Sequence, residues 1–378
     1  MFAFFGCGQI AEKEIKEGKI PDLIFDNNPE LEGSLFYGVP VSKVDPHKLA
    51  SVDRLLICSS SIRDIQEQCA ALDFSLDRIE VSVHLGEIAR AFRLEQYRFS
   101  GYVSSGLPST TESLKGGGIF RVTEDDYGSA SIEKIFEANT HGCIRVGDEL
   151  VFSAQGHGIV HIDTRKNEVT KTVSIDSGLR PHGVRWDGEF YFVVCALDDS
   201  VRQYASDGSL VEVFRVSDKL ARYGTPQHHC NDLFVTDQSI YVSMFSVTGH
   251  WKRGCFDGGI VEFCRETGEK SVLINTLKMP HSVELQAETL MILESFTGSV
   301  LGHDFESLGA LNGFARGLAV GSDFLIVGES KNRNVTRMPR GNSFASIDTR
   351  VTIIDPSIGI SKSIQLPNTI SEIHSVVV

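Results

Sequence analysis

Six positions carry side chains suited to proton transfer or ligand binding: His141, His182, Asn231, His281, Arg316 and His374. All six share one setting, at or near the head of a short apolar stretch; after the first five come a polar turn and a second stretch. His182 leads into Val184-Arg185-Trp186, the turn Asp187-Gly188 and Phe190-Tyr191-Phe192-Val193-Val194. His281 leads in the same way into Val283-Glu284-Leu285 and then Leu290-Met291-Ile292-Leu293. Neutral imidazoles at such positions can act as acid and base. Alternatively, His141, His182, His281 and His374 form a nitrogen set for a divalent zinc, iron or manganese ion, which would polarise a carbonyl or activate water. Arg316 is suited to a substrate carboxylate or phosphate.

Other residues join this group by position. Glu294 and Glu329 follow second strands and are expected at the same rim, completing a catalytic set with His182, His281 and Arg316. The insertion over residues 246–259 is long enough to be a functional loop. In it, Trp251 offers a stacking face for a sugar and Lys252 a cation for phosphate. With His229 and Asn231 they make the expected substrate contacts.

What must position these residues is a ring of strands. Apolar alternation broken by tight polar turns predicts antiparallel strands. The copies recur about 35 to 60 residues apart, the period of propeller blades. The last copy, around His374, is a first strand without a second, whereas residues 101–104, 117–122 and 132–136 read as three strands without a first. Joining them completes a sixth blade and closes the ring, which removes exposed sheet edges.

The first ninety residues read differently. Strand Phe2-Ala3-Phe4-Phe5 turns through Gly6-Cys7-Gly8-Gln9-Ile10-Ala11 into a helix, and strand Asp22-Leu23-Ile24-Phe25 ends at Asp26. Strand–helix alternation implies a parallel sheet. The G-x-G-x-x-A turn lets a backbone approach phosphate at a helix N-terminus, and Asp26 lies where an acid can hold a ribose hydroxyl. Gly6, Gly8 and Asp26 are thus candidates for binding a nucleotide or NAD; the alternative is a tight turn with Asp26 capping a loop. The organisation expected is a Rossmann-like domain over 1–84, a connecting helix over 85–99 bearing Ile88, Phe92 and Tyr97, and a six-bladed β-propeller over 100–378.

Composition narrows the classes. A net charge of -14 argues against nucleic acid as partner. No run approaches the ~20 apolar residues of a membrane span, and the opening Met1-Phe2-Ala3-Phe4-Phe5 lacks the features of a signal peptide. Eight cysteines without C-x-x-C spacing suit reduced thiols in the cytoplasm. A homo-oligomer is compatible with all of this.

Two resemblances extend the reading. Phe5-Gly6-Cys7-Gly8-Gln9-Ile10-Ala11, Phe25-Asp26-Asn27-Asn28-Pro29 and Tyr37-Gly38-Val39-Pro40-Val41 resemble the Rossmann-like modules of bacterial surface-polysaccharide proteins, including the N-terminal domains of nucleotide-sugar acyltransferases. His229-Cys230-Asn231-Asp232-Leu233, Asp257-Gly258-Gly259, Met279-Pro280-His281-Ser282, Gly313-Phe314-Ala315-Arg316-Gly317-Leu318-Ala319 and Glu329-Ser330-Lys331-Asn332-Arg333 resemble a bacterial propeller family known as a domain of unknown function. More distantly it is similar to gluconolactonase-type propellers, whose cation ligands are Glu, Asn and Asp rather than histidines. The resemblances imply an enzyme acting on a sugar or nucleotide-sugar in polysaccharide or glycoconjugate biosynthesis, by hydrolase, lyase or isomerase chemistry. An NAD-dependent oxidoreductase and a non-catalytic propeller scaffold are the alternatives.

Overall fold

The computed structural model describes residues 1–106, 117–126, 128–254, 256–286, 288–331 and 345–378; Asn332 and Arg333 lie outside the described residues. The chain divides into two compact units, Met1–Tyr97 and Arg98–Val378. Among the described residues no helix is long and apolar enough to cross a membrane.

In the first unit, β1 (Phe2–Phe5), β2 (Leu23–Phe25), β4 (Val39–Ser42), β5 (Arg54–Ile57) and β6 (Ile79–Val81) form a parallel sheet, and β3 (Leu35–Phe36) pairs antiparallel with β4. The spatial order is β3-β4-β2-β1-β5-β6. Taken in chain order, the five parallel strands lie third, second, first, fourth, fifth, which is the Rossmann arrangement. Successive residues bury on opposite faces: Ala3, Phe5 and Phe25 join one apolar cluster, Phe4 and Ile24 the other. Burial on both faces explains why these strands are apolar throughout rather than alternating.

Four helices accompany the sheet: α1 (Gln9–Lys16), α2 (Pro46–Ala50), α3 (Ile62–Ala70) and α4 (Glu87–Gln96). The helix expected over 85–99 is α4, and it belongs to this first unit. It buries Ala89 and Leu94, and Phe92 packs on the core of the sheet. Ile88, expected on its apolar face, is instead 45% exposed.

The second unit is six four-stranded antiparallel sheets. Their innermost strands are Thr140–Val146, Pro181–Trp186, Cys230–Val235, Pro280–Gln286, Phe314–Val320 and Ser375–Val377, heading blades one to six. The last lies against Ser100–Ser105, so the C-terminal strand closes the ring as the unpaired pieces required. Apolar clusters straddle neighbouring blades. Val151 and Ile159 of blade one pack with Val184 and Val193 of blade two, for example. Each such side chain, fully buried, contributes roughly 1.5–3 kcal/mol, so the core is a set of seams between sheets.

One local irregularity recurs. In blade one the pairing jumps from Thr140↔Ala154 to Cys143↔Phe152, leaving His141 and Gly142 opposite a single residue. The same bulge takes in His182-Gly183 and Asn231-Asp232, and falls at Ser282 and Gly317 in blades four and five. A bulge re-aims side chains and frees ladder groups. Serine hydroxyls take up two of the freed carbonyls: Ser104 Oγ donates to His141 O, and Ser153 Oγ to His182 O.

Candidate active site

The bulges take in His141, His182 and Asn231 and directly follow His281 and Arg316. His141, His182, His229, Asn231, His281, Arg316 and His374 line one cavity of about 90 Å³, so the register read from sequence does bring them together. Close approach of the inner strands requires the glycines that follow His141 and His182. A Cβ on Gly142 would lie 2.6 Å from Val184 N, and one on Gly183 would lie 2.8 Å from Asp232 Cα.

The rings make an arc. His141 stacks on His182 with centroids 4.1 Å apart and planes 14° from parallel, and lies 4.3 Å from His374. His182 meets His229 edge-on at 6.0 Å. His281 sits between Phe245 at 5.1 Å and Phe314 at 5.5 Å. With Met279, Phe296, Trp251 and Phe256, these two rings form an apolar collar on one side of the mouth.

Burial sets the protonation. His141 is 4% exposed, and His182 and His281 are 8% exposed. Desolvation is the chief cause that holds all three well below the ordinary histidine value, so they are neutral at pH 7. Positive charge acts in the same direction: that of Arg180 and Arg316 on His141, and that of Arg316 on His281. Among the described residues neither ring nitrogen of His141 has a hydrogen-bond partner, nor does Nε2 of His182. Nδ1 of His281, in contrast, is 3.1 Å from the Met279 carbonyl and 2.7 Å from Ser295 Oγ. A carbonyl only accepts, so Nδ1 carries the proton and Nε2 keeps the lone pair.

Other expected residues have different surroundings. Arg316 Nη1 lies 3.2 Å from Glu372 Oε2, so it is held in an ion pair. Asn231 donates to the Pro280 carbonyl at 3.2 Å. Glu329, expected at the rim, is fully buried within blade five. It accepts from Arg350 at 2.7 and 2.9 Å, from Thr352 at 2.5 Å and from Gly313 N at 2.7 Å. Arg350 is its register partner on the third strand, so the two side chains meet on one face of the sheet and the carboxylate is taken up there. Glu294 accepts from Lys278 N at 2.9 Å and from Thr297, and is not among the cavity-lining residues. Trp251 packs on His229 at 4.7 Å, beside the mouth. Lys252 is exposed and lines an open groove with Trp251, Gly254 and Phe256.

The histidines proposed as metal ligands gather as rings more than as donors. Stacked rings set their in-plane lone pairs side by side instead of at a common point. Among the described residues, the group with three donors within 4.8 Å is Glu14, Glu17 and His84 in the first unit. There Lys19 Nζ already lies 2.7 Å from Glu14.

Sequence reasoning missed five charged residues. Arg180 and Glu372 line the histidine cavity. Below it, a second chamber of about 320 Å³ is lined by Arg185, Glu284 and Asp232, among others, and shares Asp232, Ser282 and Ser375 with the upper one. Arg185 is paired with Glu284, whose carboxyl burial pushes up to about 7. In the first unit, the Asp26 carboxylate accepts from Cys7 N at 2.7 Å and from Asn28 N at 2.8 Å. Gly6 takes φ +106°, and a Cβ there would meet Cys58 O at 3.1 Å, so the turn does need glycine.

Comparison with known proteins adds a family and a fold. Residues 149–378 match the model of a family described as "Domain of unknown function (DUF4915)". A chain in the crystal structure of a nidogen/laminin complex is 11% identical with a TM-score of 0.52, over 74% of this chain and 98% of that one. A gluconolactonase from Xanthomonas campestris is 14% identical with a TM-score of 0.47, over 70% and 88%. A luciferin-regenerating enzyme is 10% identical with a TM-score of 0.46, over 62% and 78%. At these identities the likeness concerns the fold alone. No curated protein matches the chain.

Proposed function

The chain belongs to the DUF4915 family, and from that footing we propose that it is an enzyme acting on a small sugar or activated sugar, with acid–base catalysis at the histidine-lined mouth of the propeller channel. The observation that carries this is the convergence of buried, neutral imidazoles whose ring nitrogens are unpartnered or held as lone-pair acceptors. Buried polar groups without partners are uncommon, and a set of them on one cavity is where a ligand is expected.

The chemistry follows from His281. Its Nε2 lone pair takes a proton from water or a substrate hydroxyl, leaving an oxygen nucleophile to attack a carbonyl or anomeric carbon. The imidazolium formed is disfavoured by burial and by the charge of Arg316, so it returns its proton readily to the leaving oxygen. The collar of Phe245, Trp251 and Phe314 offers faces for a sugar ring. A zinc, iron or manganese ion on the histidines is the other form of this reading, and metal analysis of chelator-free protein separates the two. The dinucleotide reading has no comparable support, because Asp26 is already engaged by its own loop.

The test is a product assay by NMR on sugar lactones, sugar acids and nucleotide-sugars, with His281→Gln beside wild type. Loss of turnover by about 10²- to 10⁴-fold in folded His281→Gln is the expected result. Turnover that persists undiminished in both His281→Gln and His182→Asn would overturn the reading.

A further inference from the structure

Two arginines, Arg180 and Arg316, and two acids, Glu372 and Asp232, line the histidine cavity. Arg316 and Glu372 are within ion-pair distance of each other, and burial raises the Asp232 carboxyl above its ordinary value. Arg180 is left. Among the described residues its side chain makes no ion pair, and its Nε is buried without a hydrogen-bond partner.

The backbone places this side chain deliberately. Arg180 adopts φ 51°, ψ 77°, a left-handed conformation that disfavours side chains with a Cβ. His229 and Met279 take the same conformation at the same register, two residues before Asn231 and His281, with φ 54° and 52°. Three successive blades therefore swing a non-glycine residue toward the mouth from the start of the inner strand. They present a cation, an imidazole and an apolar side chain in turn. Arg180 is the one of the three that carries a permanent positive charge, and the unpartnered nitrogens of His141 and His182 belong to residues that line the same cavity.

We infer that Arg180, His141 and His182 form an anion subsite that receives a carboxylate or phosphate group of the substrate. A guanidinium with free donors matches either anion through paired hydrogen bonds. A neutral imidazole contributes an N–H donor, and each ring can turn one toward the ligand. A cavity of about 90 Å³ has room for such a head group, with the remainder of the molecule lying over the aromatic collar. The substrate class is then a sugar acid or a phosphorylated sugar rather than a neutral sugar. This inference rests on the channel-mouth reading and deepens it.

The experiment is an NMR titration of the full-length protein with inorganic phosphate and, separately, acetate. The imidazole signals of His141 and His182 are assigned from His→Asn variants. Saturable shifts with millimolar affinity are expected for at least one anion, and which one binds distinguishes phosphate from carboxylate. Arg180→Gln is expected to weaken that binding at least tenfold, with Arg180→Lys intermediate. Unchanged spectra elsewhere show that both variants fold. The absence of saturable shifts, or the same affinity in Arg180→Gln, overturns the subsite. Either failure leaves the enzyme reading to its own test, since turnover sensitive to His281→Gln does not depend on Arg180. Anion binding with no turnover, or with turnover undiminished in both His281→Gln and His182→Asn, would instead spare the subsite and remove the enzyme.

Discussion

The turn after β1 and the mouth of the propeller channel both stand out in the sequence, and they differ in what their polar groups do. The G-x-G turn is the more familiar motif, yet it is closed upon itself: the Asp26 carboxylate accepts from Cys7 N and Asn28 N. The histidine positions form no recognised motif, yet His141 and His182 hold ring nitrogens that no described residue satisfies. A motif reports that a backbone can take a certain path. Unsatisfied buried groups report where a partner can still be received.

Glycine substitutions sharpen the contrast most. Gly142→Ala drives a Cβ to 2.6 Å from Val184 N and 2.7 Å from Gly183 Cα, both backbone atoms of the next blade. The inner strands have to separate, and a loss on the order of 5 kcal/mol is expected, at the severe end for one substitution. Gly8→Ala in the first unit meets nothing within 4 Å, and Gly8 has φ −134°. It is expected to shift stability by less than about 0.5 kcal/mol. Urea midpoints of the two units, followed separately by hydrogen exchange, measure both. Equal effects would erase the distinction between a packed channel and an open turn.

Proton linkage distinguishes the two ends of the channel. His141, His182 and His281 sit well below the ordinary histidine value, so the unfolded chain binds protons that the folded one refuses. Their contribution is full above pH ~6.5 and is lost as pH falls below it, by up to ~1.4 kcal/mol per pH unit for each imidazole. Glu284 acts in the opposite sense. Its folded carboxyl, near 7 in place of 4.5, keeps a proton that the unfolded chain releases. Its contribution therefore declines as pH rises from about 4.5 to 7, by at most about 3 kcal/mol. Urea midpoints from pH 5 to 8 should fall more steeply toward acid in Glu284→Gln than in wild type, and less steeply in His182→Asn. Parallel curves for all three proteins would mean that neither chamber is dry enough to hold its protonation state.

The blades were legible because alternation and turn spacing survive without sequence identity, and because a closed ring explains one orphan strand and three others together. The ring of polar residues was legible for the same reason. What lay below it was hidden by the bulge. Strict alternation from His182 and His281 places Val184 and Val283 in the channel, but both are fully buried in seams between blades. The extra residue shifts the phase, and Arg185 and Glu284, three positions on, line the lower chamber instead. Arg180 and Glu372 lie outside strand alternation altogether, where a left-handed residue or a loop decides direction. Glu329 was placed at the rim by its position in the chain, but its neighbours Arg350 and Thr352 come from residues 350–355, whose partnership only the folded sheet reveals.

The smallest effect expected tests the first unit. If Asp26 serves its own loop, Asp26→Ala leaves two backbone N–H groups without their acceptor, at a cost of about 1–2 kcal/mol because both sites are open enough for water to replace part of the bond. Asp26→Asn keeps one acceptor oxygen and should lose less than half of that. Neither variant should alter a response to NAD, because the carboxylate that would hold a ribose is already taken up in the turn. Thermal melts of wild type and both variants, with and without millimolar NAD, read stability and binding together. NAD stabilisation present in wild type and absent in Asp26→Ala would show that the carboxylate exchanges its backbone partners for a ribose. The first unit would then be the ligand-binding half of the molecule, and the contrast with the channel would no longer stand.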